Sequence, residues 1–135
     1  MIPVMAQGND RLTEQIIGCC FSVHKELGPG FPEKAYHRAL EHALAASRLA
    51  FLSEKQFRVT FRGAPVATFR VDVLVEDTVV VEIKALMGMM PRIHEAQMLS
   101  YLKAAQMPVG LLVNFGNASC QVRRLVLRTS PKSCS

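Results

Sequence analysis

The chain has 135 residues, half of them hydrophobic and a fifth charged, the composition of one ordinary globular domain with a modest core. It carries 16 Lys plus Arg against 11 Asp plus Glu, a net charge of +5, which suits a phosphate-rich partner. No apolar run approaches the roughly 20 residues of a membrane span, and Met1 to Asn9 lacks a basic stretch followed by an apolar one; neither a membrane protein nor a secretory leader is expected, and the cytoplasm is the expected compartment.

Residues 1–9 read as a loose lead-in, 10–128 as a single domain and 129–135 as a tail. Leu12, Ile16, Cys20, Val23 and Leu27 recur at helical spacing. That first helix stops at Gly28-Pro29-Gly30, a strong breaker. A second helix starts near Pro32, a favoured first-turn residue. It buries Tyr36, Ala39, Leu40, Ala43 and Leu44 and fades near Ser47. Phe57, Val59 and Phe61 alternate as a strand, and Gly63-Ala64-Pro65 turns into a two-stranded ribbon from Phe69 to Ala85. A loop from Leu86 to Met90 leads to Pro91 and a third helix, ending near Gln106. Val109 to Phe115 is nearly all apolar, as for a strand covered on both faces. Gly116-Asn117 turns, and Gln121 to Leu127 is a last strand. The order is ααβββαββ, with a right-handed β-α-β crossover and parallel strands expected around the third helix. There are no internal repeats.

The ribbon's register follows from its side chains, because strands alternate faces with period two. Phe69, Val71, Val73 and Val75 share one face of the first strand; Arg70, Asp72 and Leu74 share the other. A three-residue connection, Glu76-Asp77-Thr78, sets Val75 against Val79, Val73 against Val81 and Val71 against Ile83. Asp72 then lies across from Glu82, and Arg70 from Lys84. A two-residue turn would set Asp72 against Ile83 and mix charge into the apolar face, a slip that burial of one face disfavours. Asp77-Thr78 also lacks the usual two-residue hairpin chemistry.

Two facing carboxylates repel unless something positive joins them. A divalent cation would do so, and two hard oxygen ligands with a lysine two residues on are what a metal-dependent phosphodiester hydrolase needs. Arg70 and Lys84 pairing the acids across a solvated face is the structural alternative. Glu33 opens the second helix, where an acid also suits the helix dipole. His94, Gln97 and Tyr101 share one face of the third helix by their offsets of three and four. Tyr101 also reads as a half-buried packing residue and His94 as an exposed helix-start residue. His24 and Lys25 end the first helix, where positive charge favours the dipole. Met87, Met89 and Met90 read as adaptable packing or a mobile loop beside the site. From Gly116 onward Arg123, Arg124, Arg128 and Lys132 face no acid in sequence; with Arg70, Arg123 and Arg124 are the candidate nucleic-acid contacts. Cys19, Cys20, Cys120 and Cys134 include no C-x-x-C zinc spacing.

The order Glu33, Asp72, Glu82-Ile83-Lys84, then Gln97 with Tyr101, resembles the PD-(D/E)XK nuclease superfamily, and the last pair matches the Q-x-x-x-Y element of its exonuclease branch. Gly30-Phe31-Pro32-Glu33-Lys34-Ala35-Tyr36 fits the motif that names the GxxExxY proteins of that superfamily. Leu12-Thr13-Glu14, His94-Glu95-Ala96-Gln97 through Leu102, and Asn114-Phe115-Gly116 look like theirs too. The resemblance implies a restriction-endonuclease-like three-layer α/β core, a mixed sheet flanked by helices. It implies that Asp72 and Glu82 ligate Mg2+ or Mn2+ with the Ile83 carbonyl, and that Glu33 adds a ligand directly or through water. Lys84 would position or activate the attacking water, and Gln97 and Tyr101 would orient Lys84 or the phosphate. The implied activity is a metal-dependent nuclease, on DNA before RNA; the alternative is a catalytically silent module that binds nucleic acid or a partner protein. No separate recognition domain is expected beside it, and a homodimer or a protein partner stays open. The close C-terminal cysteine trio of an iron–sulfur clasp is absent, so no such cluster is expected.

Overall fold

The computed structural model describes residues 7–127, with side chains from residue 10 onward. Residues 1–6, Arg128, and the tail with Lys132 and Cys134 lie outside them. Helix α1 (Gln7–Leu27) is followed by α2 (Glu33–Ala46), strands β1 (Phe51–Phe61), β2 (Ala64–Val75) and β3 (Val79–Lys84), helix α3 (Ile93–Ala105), and strands β4 (Val109–Asn114) and β5 (Gln121–Val126). This is the expected order. Helix α1 begins inside the segment read as a lead-in. Strand β1 also starts six residues before the alternating Phe57–Val59–Phe61, because Phe51 to Gln56 lies largely exposed at a sheet edge and carries no burial alternation. The first hairpin turns at Arg62-Gly63, both with positive φ (51° and 81°), so Ala64 and Pro65 belong to β2 rather than to the turn. Two-residue hairpin turns need that conformation, and glycine takes it without strain.

The five strands form one sheet in the order β1-β2-β3-β4-β5. All neighbours are antiparallel except β3 and β4, which are parallel and joined through α3. Helices α1 and α2 cover one face. Ile16, Cys20, Tyr36, Leu40 and Leu44 pack there on Val73, Val81, Ile83, Leu111 and Phe115. Helix α3 covers the other, with Met98 and Leu102 on Leu74 and Val80. It sits close: a Cβ on Gly110 of β4 would lie 2.5 Å from Met98 Sδ. Strands β3 and β4 are therefore buried on both faces, which is why they read as unbroken apolar runs. Among the described residues no helix is long and apolar enough to cross a membrane.

The ribbon has the expected three-residue connection. Glu76 and Asp77 take positive φ, the Thr78 N–H donates to the Val75 carbonyl at 3.0 Å, and the ladder pairs Val75 with Val79 and Val73 with Val81. The rest of the expected register fails: the ladder stops at Val73–Val81, so Val71 does not pair with Ile83 nor Arg70 with Lys84. Phe69 and Val71 do not share a face with Val73 and Val75; they pack with Met98 and Leu102 on the α3 side. The change of side falls at Asp72. There the pairing of β2 with β1 skips Glu54 and Asp72, and Glu54 has φ 53°. A strict period of two fails where one residue leaves both ladders.

Candidate active site

The local geometry of Asp72 explains why the β2–β3 ladder ends at Val73–Val81. The Asp72 N–H donates to Glu82 Oε2 at 2.9 Å, and the Ile83 N–H donates to Asp72 Oδ2 at 2.7 Å. Each carboxylate thus accepts a backbone N–H of the facing strand. The strands stay joined, but through acids instead of carbonyls, and the remaining oxygen of each carboxylate bonds to nothing else among the described residues.

The charge environment gathers further groups. Glu82 is buried, 8% exposed, and its carboxyl is pushed up to about 7. Burial is the largest cause, and the Asp72 carboxylate is next. The Asp72 backbone N–H and Lys84 pull the other way, and Glu33 adds a smaller upward push. Tyr101 is raised by burial and then by Glu82 and Asp72, so the third helix does look back at the acids. His94 is lowered by burial and by Lys84, against Glu33. Glu33, Asp72, Glu82, Lys84, His94 and Tyr101 therefore share one field.

They are not equally engaged. Glu33 is exposed. Lys84 is half-buried and forms no ion pair within 4 Å among the described residues. Gln97 is exposed and makes no hydrogen bond there. The neighbouring apolar residues Ile93, Ala96 and Leu99 are exposed as well, and α3 buries Met98 and Leu102 instead. Tyr101 stacks on Phe69 with ring centroids 4.2 Å apart, and Phe69 on Phe57 at 5.5 Å, so it both packs and faces the acids. The Ile83 side chain points into the α1–α2 core.

The glycine motif has a physical explanation. Gly30 has φ 111°, a conformation that a side chain would strain. The fully buried Tyr36 donates its hydroxyl to the Gly28 carbonyl at 2.6 Å and accepts the Phe31 N–H at 3.1 Å. Its ring lies on Phe115, centroids 4.7 Å apart and nearly parallel. Tyr36 thereby holds the turn that delivers Glu33 to the start of α2.

The loop after Lys84 is braced by residues that the sequence reading did not single out for that role. Buried Asn114 accepts the N–H groups of Leu86 and Gly116 and donates to the Leu86 carbonyl at 3.0 Å. Asn117 repeats this on Gly88, accepting its N–H at 2.8 Å and donating to its carbonyl at 2.9 Å. The Asn117 carbonyl in turn accepts His24 Nε2–H at 2.9 Å. His24, in the last turn of α1 as expected, is thus also a buried brace of this loop. A polar residue closing an apolar strand was the available signal for Asn114.

The three arginines read as nucleic-acid contacts each meet a carboxylate. Arg70 pairs with Glu54 at 3.2 Å, Arg123 with Glu95 of α3, and Arg124 with Asp10 of α1 at 2.6 Å. Arg123 and Arg124 alternate sides of β5, so each ties one helix layer to that edge. Cys19, Cys20 and Cys120 are free thiols, and burial pushes Cys120 up to about 11.

A hard divalent cation fits part of this arrangement. Two carboxylates, each with one oxygen held by a backbone N–H and one left over, match a cation that keeps several waters and uses one or two protein carboxylates. The Asp72 repulsion that adds to burial in raising Glu82 is what such a charge would relieve. Among the described residues no three acidic, histidine or cysteine side chains form one group that could hold a metal.

No curated protein matches the sequence. The crystal structure of SSO0001 shares the fold with a TM-score of 0.55 at 19% identity, over 74% of this chain and 52% of that one. The chain thus spans about half the length of that protein. A family model described as the PD-(D/E)XK nuclease superfamily matches residues 10–125, the stretch that carries the facing acids, the following lysine and both helix layers. The chain belongs to the PD-(D/E)XK nuclease superfamily.

Proposed function

We propose that this protein is a Mg2+- or Mn2+-dependent phosphodiesterase, a DNA nuclease of the exonuclease branch and a GxxExxY protein. The observation that carries the reading is the reciprocal pair of bonds between Asp72 and Glu82, with Lys84 one face-step along the same strand. Asp72 and Glu82 would hold the cation, with the Ile83 carbonyl beside them and Glu33 reaching it through water. The bound cation would supply charge neutralisation at the phosphate and a more acidic water. Lys84, free of an ion pair among the described residues, can approach that water or the phosphate oxygens. Tyr101 would orient the phosphate from α3, with Gln97 one helical turn before it.

The test is incubation with single- and double-stranded DNA and RNA, with magnesium, manganese or chelator, beside Lys84→Met. Cleavage that needs both the metal and Lys84 is expected. Undiminished activity in Lys84→Met would remove the lysine from the chemistry. A second reading is a catalytically silent module that binds nucleic acid without cutting it; the three candidate arginines, each paired with an acid, do not distinguish it from the first. Binding without cleavage under every metal condition would establish it instead.

A further inference from the structure

The described chain exposes large apolar side chains at three places beside the site. Phe31 (48% exposed) lies two residues before Glu33, Ile93 (67%) one before His94, and Met87 (89%) and Met89 (85%) follow Lys84. Met90, next in sequence, is 4% exposed, so the loop turns two methionines outward and one inward. Contacts join these segments. Phe31 meets the Tyr36 ring edge-on at 6.3 Å, Tyr36 stacks on Phe115, and the Phe115 N–H donates to the Lys84 carbonyl at 2.8 Å. Glu33 and Lys84 both act on His94.

The methionines do not stand on a loose loop. Asn114 grips Leu86 before Met87, and Asn117 grips both polar backbone groups of Gly88 between Met87 and Met89. Gly88 has φ 86°, a turn fixed by its lack of a side chain. These bonds hold the loop's backbone while both methionines stay at the surface. A backbone already ordered lowers the entropy cost of a contact made on it. Exposed Lys34 directly follows Glu33 and exposed Arg92 directly precedes Ile93, and neither forms an ion pair among the described residues. Apolar surface edged by free cations matches bases and phosphates presented together. A duplex hides its base faces by stacking, whereas a single strand offers them.

We propose that this rim selects single-stranded nucleic acid. Unstacked bases rest on Met87, Met89, Phe31 and Ile93 while phosphates pass Lys34 and Arg92. The proposal rests on the phosphodiesterase reading and names its substrate class.

The test is fluorescence anisotropy in chelator with labelled single-stranded DNA, single-stranded RNA and blunt duplex DNA. Wild type is compared with Met87→Ser/Met89→Ser. Wild type is expected to prefer single strands of either sugar, and the double variant to lose about tenfold of that affinity with its melting temperature unchanged. Magnesium-supported hydrolysis of bis(p-nitrophenyl) phosphate, too small to reach the rim, should be equal in the two proteins. Preference for duplex, no oligonucleotide binding, or unchanged single-strand affinity in the variant would overturn the proposal. So would a wild-type dimer that the variant turns into a monomer, since the rim would then be a self-contact. Binding needs no cleavage in this assay, so an inactive protein that still holds single strands through the methionines would sink the nuclease reading alone.

Discussion

At Glu82, a buried carboxyl pushed up to about 7 from 4.5 gives the fold a pH dependence of definite sign. Below the unfolded value the group is protonated in both states and costs nothing. Between 4.5 and about 7 only the unfolded chain sheds the proton, so stability falls as pH rises through that window. Above it the penalty is fully present. Glu82→Gln should therefore stabilise the metal-free protein at about pH 8, by up to on the order of 3 kcal/mol, and change little at about pH 4. Urea unfolding at the two pH values measures this; stabilisation only at low pH would reverse the sign. Hydrolysis should be lost in the same variant. Lys84 offers a contrasting test. Lys84→Met should abolish hydrolysis while calorimetric magnesium binding survives, because the lysine is not among the oxygen donors; loss of binding would make it an organiser of the site.

At the scale of elements, the loop after β3 depends on two amides and one glycine. A Cβ on Gly116 would fall 2.4–2.6 Å from backbone atoms of Leu86, which have no flexible side chain to yield. Gly116→Ala should therefore destabilise more than Asn114→Ala. The latter leaves the part-buried Leu86 and Gly116 N–H groups without their acceptor and should cost about 2 kcal/mol. Thermal denaturation of both variants checks the ranking. Tyr36→Phe keeps the stack on Phe115 but removes both hydroxyl bonds to the Gly28–Phe31 turn, for a loss of about 1–2 kcal/mol. If Glu33 acts in the site, cleavage should fall further than the melting temperature implies. These elements also show what the sequence could reveal. The ribbon's turn length and its Val73–Val81 register were legible because a one-residue slip would bury charge. The switch of Val71 to the α3 side was not, because it arises where Asp72 exchanges ladder bonds for bonds to a side chain. Nor was the Asn117 clamp, since a Gly-Asn turn looks the same whether or not its amide reaches another loop.

Across the whole molecule, the basic balance does not translate into a bare cationic face at the positions the sequence pointed to. Arg70, Arg123 and Arg124 are each matched by an acid. Such surface pairs contribute roughly 0–1 kcal/mol, so Arg123→Ala should lower the melting temperature by less than about 5 °C. If Arg123 serves the fold rather than a ligand, oligonucleotide affinity and its salt dependence should stay near wild type; a markedly shallower salt slope would return it to the nucleic-acid surface.

The Asp10–Arg124 contact has a consequence for how the protein is made. It joins the first described helix to the last strand, and β5 alone covers the outer edge of the wholly buried β4. During synthesis, β4 would emerge with that edge open until β5 has left the ribosome. The sheet can close only when nearly the whole domain is available. Slow completion at the C-terminal end would hold an apolar, hydrogen-bond-hungry edge in solution. Nascent chains stalled before Gln121 should therefore recruit chaperones or aggregate, whereas chains extended past Val126 by a linker long enough to clear the exit tunnel should fold while still tethered.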